Sequence, residues 1–580
     1  MNQILDHYQK LYQQEVIDDD CEDISHVSVL KTYENFKLPI EYTKTKELTS
    51  QVKSDIEFND NENNLFTNLL SKENPSLLLN KWSTLYTTDK KFLKDNQKLL
   101  KKYTPLENNM HVFINQYVDF KAEQNFLSKY QYVQFRRFFY LNTIIGFLQL
   151  LALYNICSPL MSLCAPLLGL IVPYFILYFK GIRLSFQDYM IMVKKIILNN
   201  FIIRNLLDFK KTTLQQKLYA LVYLFFYGMG FYHNVVSCIQ FFRNTQYMIE
   251  LNDNYSSFLE EGNKLISHIH SKTKPLKQFS KFNQTMMEHQ KNIHDMTVSI
   301  ISLKKAQSKL IKCGQIGLLM KCHFDLYYNQ QYHDTIMYLC FLNQYHKDMN
   351  HLSLHLKNET LRPCEFTKKN TKIKGMYYLN HLKEKKVTNN IHFDKNIVIT
   401  GPNASGKTTI IKSCIINLFL SQSIGIGCFD SCKTKLYDYF HSYLNIPDTS
   451  NRDSLFQAEA RRCKNIYEEI KKNKKSKHLC IFDEIYSGTN PSDAVLCASV
   501  YLNGMNSHKS HVDYVLTTHY LELCDKFKEH EIVKNQQMNV IQRDKDEIVY
   551  TYTLKNGISD VHGGYQILQK MDYPEELLNK

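Results

Sequence analysis

The segment Gly401-Pro402-Asn403-Ala404-Ser405-Gly406-Lys407-Thr408 constrains this chain more than any other, because of what flanks it. Before it, Lys395 to Thr400 (KNIVIT) reads as a buried strand. After it, Ile410, Ile411, Cys414, Ile415 and Leu418 recur at helical spacing. The eight residues fit G-x-x-x-x-G-K-[ST] in the strand–loop–helix setting that this pattern requires. Backbone N–H groups of such a loop cradle phosphate oxygens, helped by the helix N-terminus. Lys407 is then placed to reach the β- and γ-phosphates, and the Thr408 hydroxyl to hold Mg²⁺. The loop from Gly401 through Thr409 is the expected binding segment for ATP with Mg²⁺.

Two further strand ends complete the expected site. Leu479-Cys480-Ile481-Phe482 is an apolar strand ending in Asp483-Glu484. An acid at the tip of a strand beside a phosphate loop can bind Mg²⁺, the role expected of Asp483. The adjacent Glu484 can polarise an attacking water as general base. A third strand, Tyr514 to Thr518, ends at His519, placed to hydrogen-bond the γ-phosphate or that water. An isolated Asp-Glu pair is ordinarily a solvated turn, and a lone histidine is ordinarily structural. The order behind the loop favours the chemical reading of both.

The chain has 580 residues, more than one core holds, since single cores stop growing at roughly 250–300 residues. Gly and Pro are scarce, which implies a largely helical chain with one α/β unit. Residues 1–40 read as a lead-in, and 41–137 as a helical core segment beginning with Leu65, Leu69 and Leu70. From 138 to 179 there are 42 positions without a charge, flanked by Arg136, Arg137, Lys180 and Arg183. A bilayer core takes about 20 apolar residues per helix, so this run fits a membrane hairpin of two spans. Asn155, Ser158 and Pro159 are its expected turn. The other reading is a buried helical hairpin of a soluble protein. A second apolar run, 218–242, is long enough for one span, yet an even number of spans keeps both basic flanks on the cytosolic side. Residues 138–242 are thus a hydrophobic insertion. Residues 243–370 return to polar helical sequence, with a turn at Lys274-Pro275, and 371–580 hold the ATPase. Asn358 to Asn390 reads as irregular. The expected fold class is α plus α/β: a helical core and lever region, then an ABC-like P-loop NTPase domain.

The net charge of +14 fits a nucleic-acid or anionic-membrane partner, or simply a basic surface. The 15 cysteines lack any C-x-x-C pair; no zinc is expected, and reduced thiols point to an intracellular setting. The N-terminal stretch is polar and acidic, unlike a secretory signal. The expected location is intracellular and membrane-associated, with the ATPase facing the cytosol.

These pieces resemble the MutS family. GPNASGKTT is similar to its GPN-x-x-GK-[ST]-T loop, Ser454 to Glu459 (SLFQAE) to its S-T-F-x-x-E helix start, and Phe482 to Ala494 to its DE-x-x-x-GT-x-x-x-D-[GA] stretch. Thr517 to Leu523 resembles ATHYFEL. Leu554 to Asp560, followed by Gly563 and Gly564, resembles a C-terminal L-x-x-G-x-[SA]-x-S-[YF]-G segment. The resemblance implies a dimer with two composite ATP sites. It places Ser454 opposite the γ-phosphate of the partner's nucleotide and Gly488, Thr489 and Asn490 in a loop crossing the dimer interface. More weakly, it extends to core and lever segments at 61–104 and 328–366. It departs from the repair members in offering no room before residue 60 for mismatch-reading domains and in having Arg452-Asp453 where they have Gly-Arg. Two readings stay open: a DNA-linked dimeric ATPase related to mismatch repair or recombination, and a membrane-associated mechanochemical ATPase that does not recognise mismatches. An ABC or SMC-like ATPase is disfavoured, since no LSGGQ-type signature precedes Asp483.

Overall fold

The computed structural model describes residues 36–58, 64–71, 76–182, 185–199, 213–304, 314–381, 386–444, 454–543, 547–559 and 561. Most of the expected lead-in, Arg452, Asp453, Asp560, Gly563 and Gly564 lie outside these. The chain divides into two compact units. One comprises Met1–Glu107, Lys264–His289 and Met337–Lys580, the other Asn108–Asn263 and Gln290–Ile336.

The first unit is built on thirteen short and long strands among the described residues: β1 (Thr45–Glu47), β2 (Leu85–Thr87), β3 (Arg362–Phe366), β4 (Lys372–Met376), β5 (Asn389–His392), β6 (Asn396–Thr400), β7 (Ile426–Gly427), β8 (Ser431–Thr434), β9 (Tyr439–Tyr443), β10 (His478–Asp483), β11 (Val512–Thr518), β12 (Val533–Arg543) and β13 (Glu547–Asn556). The main sheet has the order β13-β12-β6-β11-β10-β9. All neighbours are parallel except β12 and β13. Every residue of β6 and β11 is buried, as expected of parallel strands covered on both faces. Helices Lys407–Ser423, Leu455–Lys472 and Pro491–Asn506 follow β6, β9 and β10. β11 therefore lies between β6, which precedes the Gly401–Thr408 loop, and β10.

Residues 358–390, expected to be irregular, instead supply β3, β4 and β5 to a second sheet of order β5-β4-β8-β3-β7. The signal was there but short. In Lys372-Ile373-Lys374, exposed lysines flank a fully buried isoleucine, the alternation of a half-buried strand. The helical part of this unit packs around Trp82, which stacks on Tyr345 with ring centroids 6.1 Å apart and donates its indole N–H to the buried Asp348.

The second unit is helical. Its core is aromatic, with Phe113 against Tyr255 and Phe258, and Tyr117 hydrogen-bonded to the buried His333 at 2.8 Å. The expected turn at Asn155–Pro159 does not exist. One helix runs unbroken from Ile145 to Phe179. Pro159 removes the N–H that would bond the Asn155 carbonyl, and the Ser158 hydroxyl donates to that carbonyl instead, at 3.1 Å. The helix survives because its freed acceptor is satisfied locally. The hairpin of two spans within 138–179 is thereby corrected to a single helix. The second run, 218–242, lies inside the helix Leu214–Thr273, and the expected break at Lys274-Pro275 separates this from the helix Ser280–Lys304.

Candidate functional site

Parallel strands end together, and register decides which residues meet there. Thr518 pairs with Thr400, and Asp483 with Thr517. The C-terminal ends of β6, β11 and β10 thus present the Gly401–Thr408 loop, Thr517-Thr518-His519 and Asp483-Glu484 at one level. Open α/β sheets bind ligands at this edge.

The loop's conformation depends on two residues in left-handed backbone. Ala404 has φ of 62° and Gly406 of 93°. A Cβ on Gly406 would stand 3.1 Å from the Tyr552 ring, so glycine serves both the turn and the close approach. The Lys407–Ser423 helix starts directly after Gly406, which aims its free N–H groups at the loop. Lys407 is buried; its ammonium donates to the carbonyls of Gly401 (2.9 Å) and Pro402 (3.4 Å) and lies 3.5 Å from Glu484 Oε1. Thr408 donates its hydroxyl to Asp483 Oδ2 at 2.7 Å, and Thr517 donates to Oδ1. The Ser405 hydroxyl is buried without a hydrogen-bond partner among the described residues.

After β10 the chain turns sharply. Glu484 (φ 50°) and Tyr486 (φ 61°) are both left-handed, an unfavourable conformation for non-glycine residues. Ile485 and Tyr486 offset it by entering the core beside Cys463, Ala498 and Leu502. The result points the Glu484 carboxylate back toward Lys407. His519 Nδ1 approaches Glu484 Oε2 at 3.6 Å. That contact, together with Lys407, holds the Glu484 carboxyl below its ordinary range despite burial. Glu484 is therefore ionised at neutral pH, as a general base must be.

These groups line an open cavity of about 710 Å³. Asn403, Ala404, Ser405, Gly406, Lys407, Thr408, Thr409, Asp483 and Glu484 are in its wall. His519 reaches it through Glu484, while Gly401 and Pro402 contribute carbonyls to Lys407. The wall also holds Tyr378, Val387, Asn389 and Tyr552, which sequence reading missed. They come from the second sheet and its neighbourhood and from the far strand β13. Asn389 ties these together, donating to the Tyr552 carbonyl (3.0 Å) and accepting from Leu554 N (2.7 Å). No spacing in the sequence announces that pairing. The Leu554–Ser559 stretch returns to the loop strand, where Ser559 N donates to Thr400 Oγ1.

Ser454, Gly488, Thr489 and Asn490 form a separate cluster outside the wall of this cavity. Ser454 caps the Leu455–Lys472 helix in a capping box with Gln457. Gly488 lies against that helix start; a Cβ there would come within 2.9 Å of Phe456 N. Asn490 caps the Pro491–Asn506 helix through Asp493 N. One residue joins the cluster. Glu459 is buried and accepts from Ser487 N (3.1 Å), Ser487 Oγ (2.9 Å) and Gly488 N (3.1 Å).

Fold and site together define a strand–loop–helix turn at the C-terminal edge of a mainly parallel sheet, with Lys407, Thr408, Asp483 and Glu484 on one cavity. Residues 397–580 match the family model of MutS domain V. The same third of the chain is similar to DNA mismatch repair protein MutS of Leuconostoc mesenteroides, 24% identical over 196 residues, or 33% of this chain and 22% of that protein. It is 28% identical over 200 residues to DNA mismatch repair protein MutS of Desulfatibacillum aliphaticivorans, covering 33% and 22%. Endonuclease MutS2 of Alkaliphilus metalliredigens is 28% identical over 189 residues, covering 32% and 23%. The chain thus spans about a fifth of the length of the relatives it matches, and its C-terminal third is related to MutS domain V.

Proposed function

We propose that this chain binds and hydrolyses ATP as a MutS-type ATPase, acting as a dimer with composite sites and working on DNA. The observation that carries the reading is the convergence of Lys407, Thr408, Asp483 and Glu484 on one cavity. The loop N–H groups and Lys407 bind the phosphates. Glu484 accepts the proton of the attacking water, and His519 positions Glu484 and the γ-phosphate. The donor set at Thr408 and Asp483 is a hydroxyl and a carboxylate oxygen, the hard ligands that suit Mg²⁺. When bound there, Mg²⁺ supplies charge neutralisation for the β- and γ-phosphates.

The dimer reading rests on the second cluster. Ser454 and Gly488–Asn490 lie away from the cavity of their own chain, and Leu496 and Val500 expose apolar side chains one turn apart on the following helix. DNA as partner rests on the names of the relatives and the net charge of +14. The test is ATPase rate with and without duplex or branched DNA, using Lys407→Ala as the loss-of-binding control. No hydrolysis by the parent chain, or hydrolysis indifferent to Lys407→Ala, ends the ATPase reading. Mixing Lys407→Ala with Ser454→Ala chains tests the dimer: heterodimers recover activity that neither mutant shows alone. Demonstrable heterodimers without recovery mean that either Ser454 acts within its own chain or the two sites must fire together.

A further inference from the structure

The two uncharged runs of the sequence meet in space. Tyr227 OH donates to the Ser162 carbonyl at 3.1 Å, and Cys238 Sγ to the Ile156 carbonyl at 3.6 Å. As the first helix advances from 156 to 162, its neighbour steps back from 238 to 227, so the helices are antiparallel. Below this level each helix has a buried face, with Leu148, Ala152, Phe241 and Met248 buried, while Leu150 and Phe242 remain exposed. Beyond it exposed apolar side chains predominate. Leu160, Phe179, Leu218, Phe225, Phe226 and Tyr232 are each more than 60% exposed. Apolar side chains from Leu221 to Phe226 are exposed at successive positions, and so on all sides of the helix. A soluble helix of a globular protein has a polar face to turn to water; among the described residues of 156–179 and 218–238 the exposed positions are apolar or aromatic apart from His233.

We propose that Ile156–Phe179 and Leu218–Cys238 cross a lipid bilayer as a two-helix hairpin. The lengths fit. Twenty-four and twenty-one residues make helices of about 36 and 32 Å, against a hydrocarbon core of about 30 Å. The charges fit as well. Between Lys217 and Arg243 the only titratable side chain that can carry positive charge is His233, and between Arg137 and Lys180 there is none. Lys180 and Lys217 stand just past one end, and the exposed Arg243 about one turn past the other, at the depths of phosphate headgroups. The partner is therefore an anionic bilayer. Two antiparallel spans return the chain to its starting side, so the segments before and after the hairpin share one compartment. The inference stands apart from the ATPase reading, since no residue of the cavity takes part.

The experiment uses the full chain with sealed vesicles of phosphatidylcholine and phosphatidylglycerol, added from outside. The protein is expected to float with the vesicles after alkaline carbonate washing. Cysteines introduced at two exposed sites report sidedness to a membrane-impermeant maleimide, read by mass at each peptide. Ser507→Cys is labelled at once, and Ser185→Cys, in the connection between the spans, only after detergent. Leu221→Arg with Phe225→Arg, both at exposed positions, reduces the floated fraction by at least about 10-fold. Release by carbonate, or equal labelling at 185 and 507 in sealed vesicles, overturns the crossing in favour of surface adhesion. A defined oligomer that is soluble without detergent and ignores vesicles overturns it in favour of a second copy covering the same face.

Discussion

The two ends of the main sheet each hold a carboxylate facing lysine, and they are built to opposite plans. At the C-terminal ends of the strands, Glu484 is one-third exposed and shares the open cavity with Lys407. At the N-terminal ends, Asp513 is 1% exposed. Its Oδ2 receives Lys435 and the Tyr437 hydroxyl, each at 2.7 Å, and its Oδ1 receives Lys509 at 2.9 Å. One carboxylate keeps lone pairs facing a cavity; the other has spent them on the fold. A saturated buried network stabilises or specifies a structure, whereas an unsaturated one at a cavity is available to a ligand. The comparison assigns chemistry to one end and stability to the other, and mutations can separate the two.

The largest effect is expected at the cavity. Glu484→Gln keeps the phosphate cradle and removes the base, so turnover falls about 10²–10⁴-fold while ATP affinity and melting temperature stay near the parent's. Single-turnover hydrolysis beside equilibrium nucleotide binding measures both. Turnover within a few fold of the parent would move the base elsewhere, with His519 the next group in line. At the opposite end, Asp513→Ala leaves Lys435 and Lys509 without their shared counter-ion. Losing one partner of a buried pair costs about 3–5 kcal/mol, visible in urea unfolding, while the ATPase rate per folded molecule is unchanged. Loss of turnover at full stability would dissolve the distinction between the two ends.

A smaller effect is expected at Glu459, which belongs to neither end but links the Ser454 helix to the 487–490 loop. In Glu459→Gln one acceptor becomes a donor facing the N–H of Ser487 or Gly488. The loop loses its anchor while Lys407 and its cavity remain. The expected result is a fall in kcat of about 10-fold, within the range that misplacement by a remote residue produces, with KM for ATP held and partial rescue by Glu459→Asp. A rise in KM with kcat unchanged would mean that Glu459 serves its own chain's nucleotide.

What the sequence revealed follows the same division. The strand ends bearing Asp483 and His519 were legible because each closes a run of buried residues, and a continuous apolar run ending in polar residues is a strong local signal. The strand–loop–helix turn at Gly401–Thr408 was legible because the left-handed backbone at Gly406 favours glycine. Asn389 and Tyr552 were not, since they act by meeting each other across 163 residues of chain. The strands near residue 370 were too short for period two to stand out. Pro159 misled for a physical reason: proline normally ends a helix, and here the neighbouring Ser158 hydroxyl takes up the freed Asn155 carbonyl. In the same way, the pairing of the two apolar runs with each other could be seen only once the first was one helix.

The smallest expected effect lies at the stability end of the sheet and depends on pH. His441 and His478, on adjacent strands, share a hydrogen bond of 3.0 Å. Burial pushes their pKa values down from 6.5, to about 3 for His441 and about 4 for His478. The folded protein therefore keeps both rings neutral where the unfolded chain protonates them, and stability is lost as pH falls below the unfolded value. The contribution is whole above about pH 6.5 and drains away toward about pH 4. Glu484, whose carboxyl is lowered by His519 and Lys407, behaves differently: its contribution stays whole down to about the ordinary carboxylate value of 4.5 and is lost as pH falls below it. Melting temperatures of the parent are expected to fall between pH 6.5 and 4. In His441→Asn the protein is less stable at pH 7, and the gap to the parent narrows by a few degrees on acidification, because one of the titrating rings is gone. A gap that stays constant from pH 7 to pH 4 would show that His441 is protonated in the fold, and would remove the contrast between an end that keeps its charge and an end that sheds it.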